Sequence, residues 1–344
     1  MFLKYEETEM RKYLISNEGK FYKANLHSHS NISDGALTPL EMKELYKANG
    51  YSVIAYTDHD VMIPHPELSD GEFLALTGFE MEINEADTYP NTKWGKTCHL
   101  CFIAPTPDTV VQPCFNPRYA YIGGAGKDHD AIVKDAASEN YERHYTAENI
   151  NEMMRICREA GFFITYNHPG WSLEDYPIYT SYHGMHAMEI YNHSSAHMGY
   201  DDYNESKYDD ILRHGERIYA VAADDNHNKA NDACGGFVMI KAKSLEYKAI
   251  TDALFAGEFY ASQGPEIKEI YVEDGRLFVT TSDAQRITVV TGVRRATSAH
   301  ARDGVPVNSI SFAVEDYMKY VRVVVTDMNG KEAYSRAYFV DEIV

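Results

Sequence analysis

The sequence predicts an α/β protein, a seven-stranded (β/α) barrel followed by a small C-terminal all-β sandwich. Three observations predict it. Apolar runs of strand length alternate with helix-period segments from about residue 20 to residue 262. Seven strands in that rhythm favour a closed barrel over an open sheet. After Gly264-Pro265 the helix period disappears, and short β runs joined by turn dipeptides take over. The expected domains are therefore 1–264 and 265–344.

The first strand is read at Phe21–Leu26 and runs into "NLHSHSNISDG". On a strand, positions i and i+2 share a face, so His27 and His29 present two imidazoles side by side. That pair alone fits a metal site or two ordinary histidines. "LTPLEMKELYKANG" (37–50) reads as a helix, with Thr38 and Glu41 as a capping box, Pro39 in the first turn and Gly50 as terminator. "YSVIAYTDHD" (51–60), "FLALTGFEMEI" (73–83) and "TCHLCFIAP" (97–105) read as strands. "TAENINEMMRICREAG" (146–161) carries Ile150, Met153, Met154 and Cys157 at helical spacing. "FFITYNHP" (162–169), "AMEIYNHS" (187–194) and "RIYAVAADDNH" (217–227) follow as strands, with a helix at 203–215 between the last two. A helix over 245–262 closes the series. In the tail, Asp274-Gly275 and Asn329-Gly330 mark hairpin turns. The tail's role as cap, dimer contact or substrate gate stays open.

Residues 105–145 fit neither pattern and are rich in Pro, Gly and Tyr, which suggests a lid or a surface excursion. Its "GGAGKD" approaches a phosphate loop, but Asp128 stands where Ser or Thr is required.

Bulk properties narrow the function. A net charge of −20 disfavours long nucleic acids, which need clustered Lys and Arg. A local cluster of cations can still reverse the field within one cleft. Five scattered cysteines give no disulfide framework, and the single "CHLC" has no second pair to complete a structural zinc site. The charged N-terminus has no apolar signal segment, and no run is long enough to span a membrane, so a cytoplasmic protein is expected. Homo-oligomerisation is not readable.

What ends each strand is more telling. In order these are His27-x-His29 with Asp34 beyond, His59, Glu80, His99, His168, the stretch "EIYNH" with His193, and Asp225 with His227. The C-terminal strand ends of a βα barrel converge on one face, where active sites form. Eight other histidines (His65, His129, His144, His183, His186, His197, His214 and His300) have no such placement and read as surface or structural.

The motifs "LHSHSNISDGALTP", "AYTDHD", "TGFEMEI", "NHP" and "DDNH" resemble the polymerase and histidinol phosphatase (PHP) family of phosphoesterases over about residues 20–262. The resemblance implies a distorted seven-stranded barrel with two or three divalent ions. It assigns His27, His29, Glu80 and Asp225 to the first metal, and Glu80, His99 and His168 to the second. Asp34, His59 and His227 would hold the third. Zn, Mn and Fe all suit mixed imidazole and carboxylate ligands.

The expected reaction is hydrolysis of a small phosphomonoester, such as a nucleotide or nucleoside bisphosphate, by a hydroxide held between ions sharing Glu80. His193 is a candidate to protonate the leaving group, or equally a contact group, while Asp58 and Asp60 are placed to orient ligands. Lys96, Arg118 and Arg143 are candidates for a second phosphate. Trp171 and the aromatic segment 105–145 could stack a base or sugar. Two other classes stay open. An amidohydrolase-like hydrolase of C–N or C–O bonds also begins with H-x-H on a barrel, but usually bridges its metals with a carboxylated lysine, where this chain offers Glu80. The second is a non-enzymatic, metal-stabilised binding module.

Overall fold

The computed structural model describes residues 11–89, 92–120, 131–134 and 140–343. The chain divides into two compact units, Glu18–Gln263 and a second made of the residues up to Asn17 with Gly264–Val344.

In the larger unit, β1 (Lys20–Asn25) leads to α1 (Pro39–Ala48) and β2 (Val53–Tyr56). The Thr38 hydroxyl accepts the Glu41 amide while the Glu41 carboxylate accepts the Thr38 amide, so the predicted capping box forms. Next come β3 (Leu74–Asn84), β4 (Thr97–Ile103), α2 (Ala147–Glu159) and β5 (Phe163–Tyr166). α2 buries Ile150, Met153, Met154 and Cys157, the stripe set by its sequence period. They are followed by β6 (Ala187–Asn192), α3 (His193–His197), α4 (Glu205–Arg213), β7 (Tyr219–Ala223), β8 (Phe237–Ala242), α5 (Tyr247–Ala256) and β9 (Phe259–Ser262).

The strands pair in the order β7-β6-β5-β4-β3-β2-β1-β8-β9. The expected ring of seven parallel strands, each followed by a helix, is not what this pairing gives. β3 and β4 are antiparallel, β4 and β5 are antiparallel, and β8 runs antiparallel to both β1 and β9. The physical reason lies in the connections. β3 and β4 are joined by residues 85–96, with no helix among the described ones, and an antiparallel pair needs no crossover helix, whereas parallel neighbours do. The remaining neighbours, β1-β2, β2-β3, β5-β6 and β6-β7, are parallel. Two further differences sit at the end of this unit. β8 was not read from the sequence, and the expected helix over 245–262 ends at Gly257 in the left-handed region (φ 68°), so that "FYAS" becomes β9.

Alternating strand residues build the core. Ala24, Ala55, Leu76, Ile103, Phe163, Ala187, Val221 and Val238 pack with Ile250 and Leu254 of α5. Beyond the strand ends the connecting loops are stitched together. His29 donates its amide to Asn226 O (3.1 Å), Asp225 to His27 O (3.0 Å) and Ala36 to His227 O (2.8 Å). The loops after β1 and β7, far apart in sequence, are thus one layer.

Part of the 105–145 excursion packs beside the loop after β2. Phe115, Ala120 and Ile132 cluster with Val61, and the Gln112 amide donates to Asp60 O while accepting the Met62 amide. The "GGAGKD" stretch lies outside the described residues.

The smaller unit is antiparallel β. Ile267–Glu273 pairs with Arg276–Ala284, which pairs with Val307–Ala313, and Lys12–Tyr13 joins the free side of the first. Arg286–Thr291 pairs with Ala296–His300 and Tyr320–Thr326. Asp274 (φ 50°) and Gly275 (φ 67°) both take the left-handed angles that a two-residue hairpin loop demands. Among the described residues, no helix is long and apolar enough to cross a membrane.

Candidate metal centre

Glu80 lies in the middle of β3, fully buried, and its two oxygens face different histidines. Oε1 lies 3.1 Å from His27 Nε2, 3.2 Å from His99 Nδ1 and 3.4 Å from His168 Nε2. Oε2 lies 3.1 Å from His59 Nδ1 and 3.4 Å from His29 Nε2. Asp225 Oδ1 adds contacts of 3.0 Å to His29 Nε2 and 3.2 Å to His27 Nε2. Asp34 Oδ1 is 3.3 Å from His227 Nε2 and 3.9 Å from His59 Nε2. All nine residues singled out as ligands are therefore brought together at one end of the strands.

Their grouping keeps the first set carried over by resemblance and differs from the other two. Close ligand atoms form the sets His27, His29, Glu80 and Asp225; His29, Asp34, His59 and His227; and His59, Glu80 and His99. His168 instead groups with His27 and Glu189.

The donor set fits divalent cations on a specific observation. His29 Nδ1, Asp34 Oδ1, His59 Nδ1, Glu80 Oε2 and His99 Nε2 are buried without a hydrogen-bond partner. Such atoms cost free energy unless something satisfies them. His59 Nδ1 and Glu80 Oε2 lie 3.1 Å apart yet form no hydrogen bond, because they are not aligned on each other. Two ligand atoms aimed at a shared ion have that relationship.

Electrostatics point the same way. Burial works to lower the His29 and His168 rings, but Glu80 and Asp225 outweigh it and lift them to about 10 and about 9. Burial likewise opposes charge on Glu80 and Asp225, yet the facing histidines hold both carboxyls well below their usual range. The cluster draws positive charge onto itself. His59 goes the other way, to about 3, through burial and the neighbouring His29.

Buried carboxylates hold the ligand-bearing loops. Asp58 accepts the amide and hydroxyl of both Ser30 and Ser33, at 2.7–3.2 Å, and so fixes the turn leading to Asp34. Asp224 accepts the amides of Cys234, Gly235 and Gly236 and the Tyr46 hydroxyl. Asp232 accepts the amides of His227 and Asn228. Glu189 meets His27 Nδ1 at 2.7 Å. Of these, sequence inspection singled out Asp58 alone. Asp60, His168 and Asp225 take positive φ angles of 59°, 25° and 53°, strain of the kind found where a site dictates the backbone.

The centre opens into a cleft of about 670 Å³. Its walls include Trp94, Trp171, Met198 and Tyr200, with Lys229 the one Lys or Arg among the described lining residues. The Trp171 ring stands 5.0 Å from that of His168 and 5.3 Å from that of His99.

The expected phosphate-binding cations lie elsewhere. Arg143 is buried, donating to Asp60 Oδ1 at 2.5 Å and to Glu82 O at 3.0 Å. Arg118 pairs with Asp87 and Glu142, and Lys96 with Asp175. None of the three lines the cleft. His193 does not line it either. Its Nδ1 meets the Tyr191 hydroxyl at 2.8 Å, and its ring fills the space where a side chain on Gly235 would go. One turn along α3, His197 reaches the cleft, as does Ser194. Sequence reasoning had set His197 aside.

No family model and no curated protein matches the chain. Among solved structures it is similar to a two-domain protein from Bacteroides vulgatus ATCC 8482 containing a predicted PHP-like metal-dependent phosphoesterase. The two share 16% identity over 96% of this chain and 99% of that one, with a TM-score of 0.43. An amidohydrolase from Chromobacterium violaceum, solved with sulfate and no metal, is 20% identical over 61% of this chain and 89% of that one (TM-score 0.41). The lesion-specific endonuclease PfuEndoQ from Pyrococcus furiosus is 16% identical over 68% of this chain and 56% of that one (TM-score 0.39).

Proposed function

We propose that the protein is a metal-dependent hydrolase of small phosphomonoesters. The observation that carries this reading is the Glu80-centred cluster, in which His29 Nδ1, Asp34 Oδ1, His59 Nδ1, Glu80 Oε2 and His99 Nε2 are buried without a hydrogen-bond partner among closely grouped ligand-type atoms. The ligands are His27, His29, Asp34, His59, Glu80, His99, His168, Asp225 and His227, enough for two or three ions such as Zn, Mn or Fe. Three divalent ions against the carboxylates of Asp34, Glu80 and Asp225 leave a net charge of about +3, which favours a phosphate over a neutral amide. Bound divalent ions would supply charge neutralisation at the phosphoryl oxygens and a water acidic enough to act as nucleophile near neutral pH.

The chain's own residues do the rest. Glu80 spans the cluster and spaces its two halves. Asp58, Asp224 and Asp232 keep the loops that carry Asp34, Asp225 and His227 from drifting. Trp171, Trp94, Met198 and Tyr200 take up the leaving group by apolar contact and exclude water around it. With Lys229 the one described cation on the walls, and itself 3.8 Å from Asp34 Oδ2, the cleft favours one phosphate with an uncharged, apolar body. That preference and the chain's net negative charge both argue against long nucleic acids.

The test is a panel of phosphomonoesters, phosphodiesters and amides assayed with Mn or Zn. The expected result is monoester turnover, fastest with aryl leaving groups and abolished by Asp225→Asn. Turnover of amides alone would favour the amidohydrolase alternative.

A further inference from the structure

We infer that Glu189 is a positioning residue for the metal centre. It fixes the His27 tautomer, ties His27 to the turn at His168, and thereby sets how tightly the His27 position holds a divalent cation. The inference rests on the metal-centre reading above.

Glu189 sits on β6 and is completely buried. A carboxylate in that position is costly unless its oxygens are satisfied. Both are. Oε1 lies 2.7 Å from His27 Nδ1. Oε2 accepts the His168 amide at 2.9 Å and the Asn192 side-chain amide at 2.8 Å. The same Asn192 nitrogen lies 3.3 Å from Asp225 Oδ2. From β6, Glu189 therefore reaches the residues that follow β1 and β5 directly, and Asp225 after β7 only through Asn192.

The His27 contact has a chemical consequence. A neutral imidazole carries one N–H, and which nitrogen bears it is set by the partner of the other. With Nδ1–H donating to Glu189 Oε1, the proton stays on Nδ1 and the lone pair is left on Nε2. That nitrogen faces Glu80 Oε1 at 3.1 Å and Asp225 Oδ1 at 3.2 Å. The opposite tautomer would aim an N–H into the cluster and remove His27 as a ligand. At His168 the effect is on the main chain. Its φ of 25° is unfavourable for a residue with a side chain, and the bond to Glu189 Oε2 holds the amide there.

Glu189 also lies close enough to His27 and His168 to be read as a ligand itself. Its oxygens, however, already meet three donors, and the His27 nitrogen it faces is the one turned away from Glu80 and Asp225. Both facts assign it to the layer behind the ligands, where removing a partner typically weakens metal binding about 10–100-fold.

The experiment uses the full chain stripped of metal and titrated with Co2+ alone. Stoichiometry, affinity by chelator competition and the visible absorption of the bound ion are read for wild type, Glu189→Gln, His27→Ala and the double variant. Glu189→Gln should saturate with as many ions as wild type, bind one of them about 10–100-fold more weakly and show an altered spectrum. On the His27→Ala background the same change should cost less than about threefold, because the route through His27 is already gone. Glu189→Asp keeps the charge but shortens the reach, and is read the same way if the Gln variant does not fold. Unchanged affinity and spectrum, losses that simply multiply, or loss of a whole equivalent of Co2+ would each overturn the inference. Failure of the wild type to bind Co2+ would instead remove the metal-centre reading on which it stands.

Discussion

The Asp202 carboxylate accepts the main-chain amide of Gly170 through one oxygen and that of Trp171 through the other, each at 2.9 Å. This grip places the turn that follows His168 and the ring that walls the cleft. The fit is tight. A Cβ on Gly170 would stand 2.2 Å from Asp201 O and 2.8 Å from Asp202 Oδ1. Gly170→Ala must therefore push the turn off Asp202. Because misplacing a reacting or coordinating group by about 1 Å can cost roughly 100-fold, turnover of an aryl phosphate should fall by at least about that factor. Asp202→Asn should fall less far, since one acceptor survives. Steady-state kinetics on the two variants check the order.

Metal removal should change stability as well as rate. The centre joins candidate ligands carried on or just after six strands, so an ion that binds only the folded chain stabilises it by mass action. At a thousandfold excess over Kd this amounts to about 4 kcal/mol, or on the order of 10 °C in melting temperature for a unit of this size. Calorimetry before and after chelation should register the drop, and adding back Mn or Zn should reverse it. An unchanged melting temperature would contradict a centre built into the fold.

Asp58 illustrates how a carboxylate can matter to a reaction without touching substrate. It accepts four hydrogen bonds from Ser30 and Ser33. Asp58→Ala strands those buried donors and should cost about 3 kcal/mol of stability. It should also weaken the ion held by Asp34, His59 and His227. Asn keeps one acceptor oxygen, so Asp58→Asn should recover part of both losses. Denaturant melts and metal titration distinguish it from a residue that acts only in turnover, whose replacement would leave both measurements alone.

The candidate ligands were legible because most sit at or near a strand end, and Glu80 within a strand, where apolar periodicity and a chemically marked residue coincide in a few positions. Glu189, Asp202, Asp224 and Asp232 were not. Each acts on a partner distant in sequence or on main-chain amides, and neither leaves a local signature. Arg143 is the converse case. It reads as a substrate-binding cation, but its partner Asp60 stands 83 positions earlier, and the pair is buried together. The alternation of strands and helices was legible in the sequence, whereas the antiparallel β3-β4 and β8-β9 pairings were not. A strand's direction depends on its connection, and "FYAS" after Gly257 is too short for periodicity to separate strand from helix.

His193 and His197 offer a direct comparison of sequence placement with spatial placement. His193 sits on Gly235 and meets Tyr191, while His197 lines the cleft. His197→Ala should raise KM or lower kcat for small monoesters by about tenfold, as expected for a lost contact with substrate. His193→Ala should change either constant less than about threefold and show its effect as lost packing, about 1–2 kcal/mol. Kinetics and thermal melts on the two variants give the answer. A large kcat loss confined to His193→Ala would restore it as the proton donor.

His186 should make the fold acid-sensitive independently of the metal centre. It packs between Phe163 and Phe255, and its Nδ1 accepts the Ile164 amide at 3.0 Å. Burial, with a smaller contribution from Arg158, lowers its pKa from 6.5 to about 4. The ring is thus held neutral in the folded chain and becomes protonated more readily in the unfolded one. Its contribution is complete above the unfolded pKa of 6.5 and is lost as pH falls from there through about 4. The shift corresponds to about 2–3 kcal/mol after allowance for the part of the ring that remains exposed. His186→Gln can still accept the Ile164 amide but does not titrate. Between pH 7 and pH 4 the wild type should therefore lose about that much more stability than the variant in parallel denaturant melts. Equal acid losses in the two proteins would show that His186 does not carry this sensitivity.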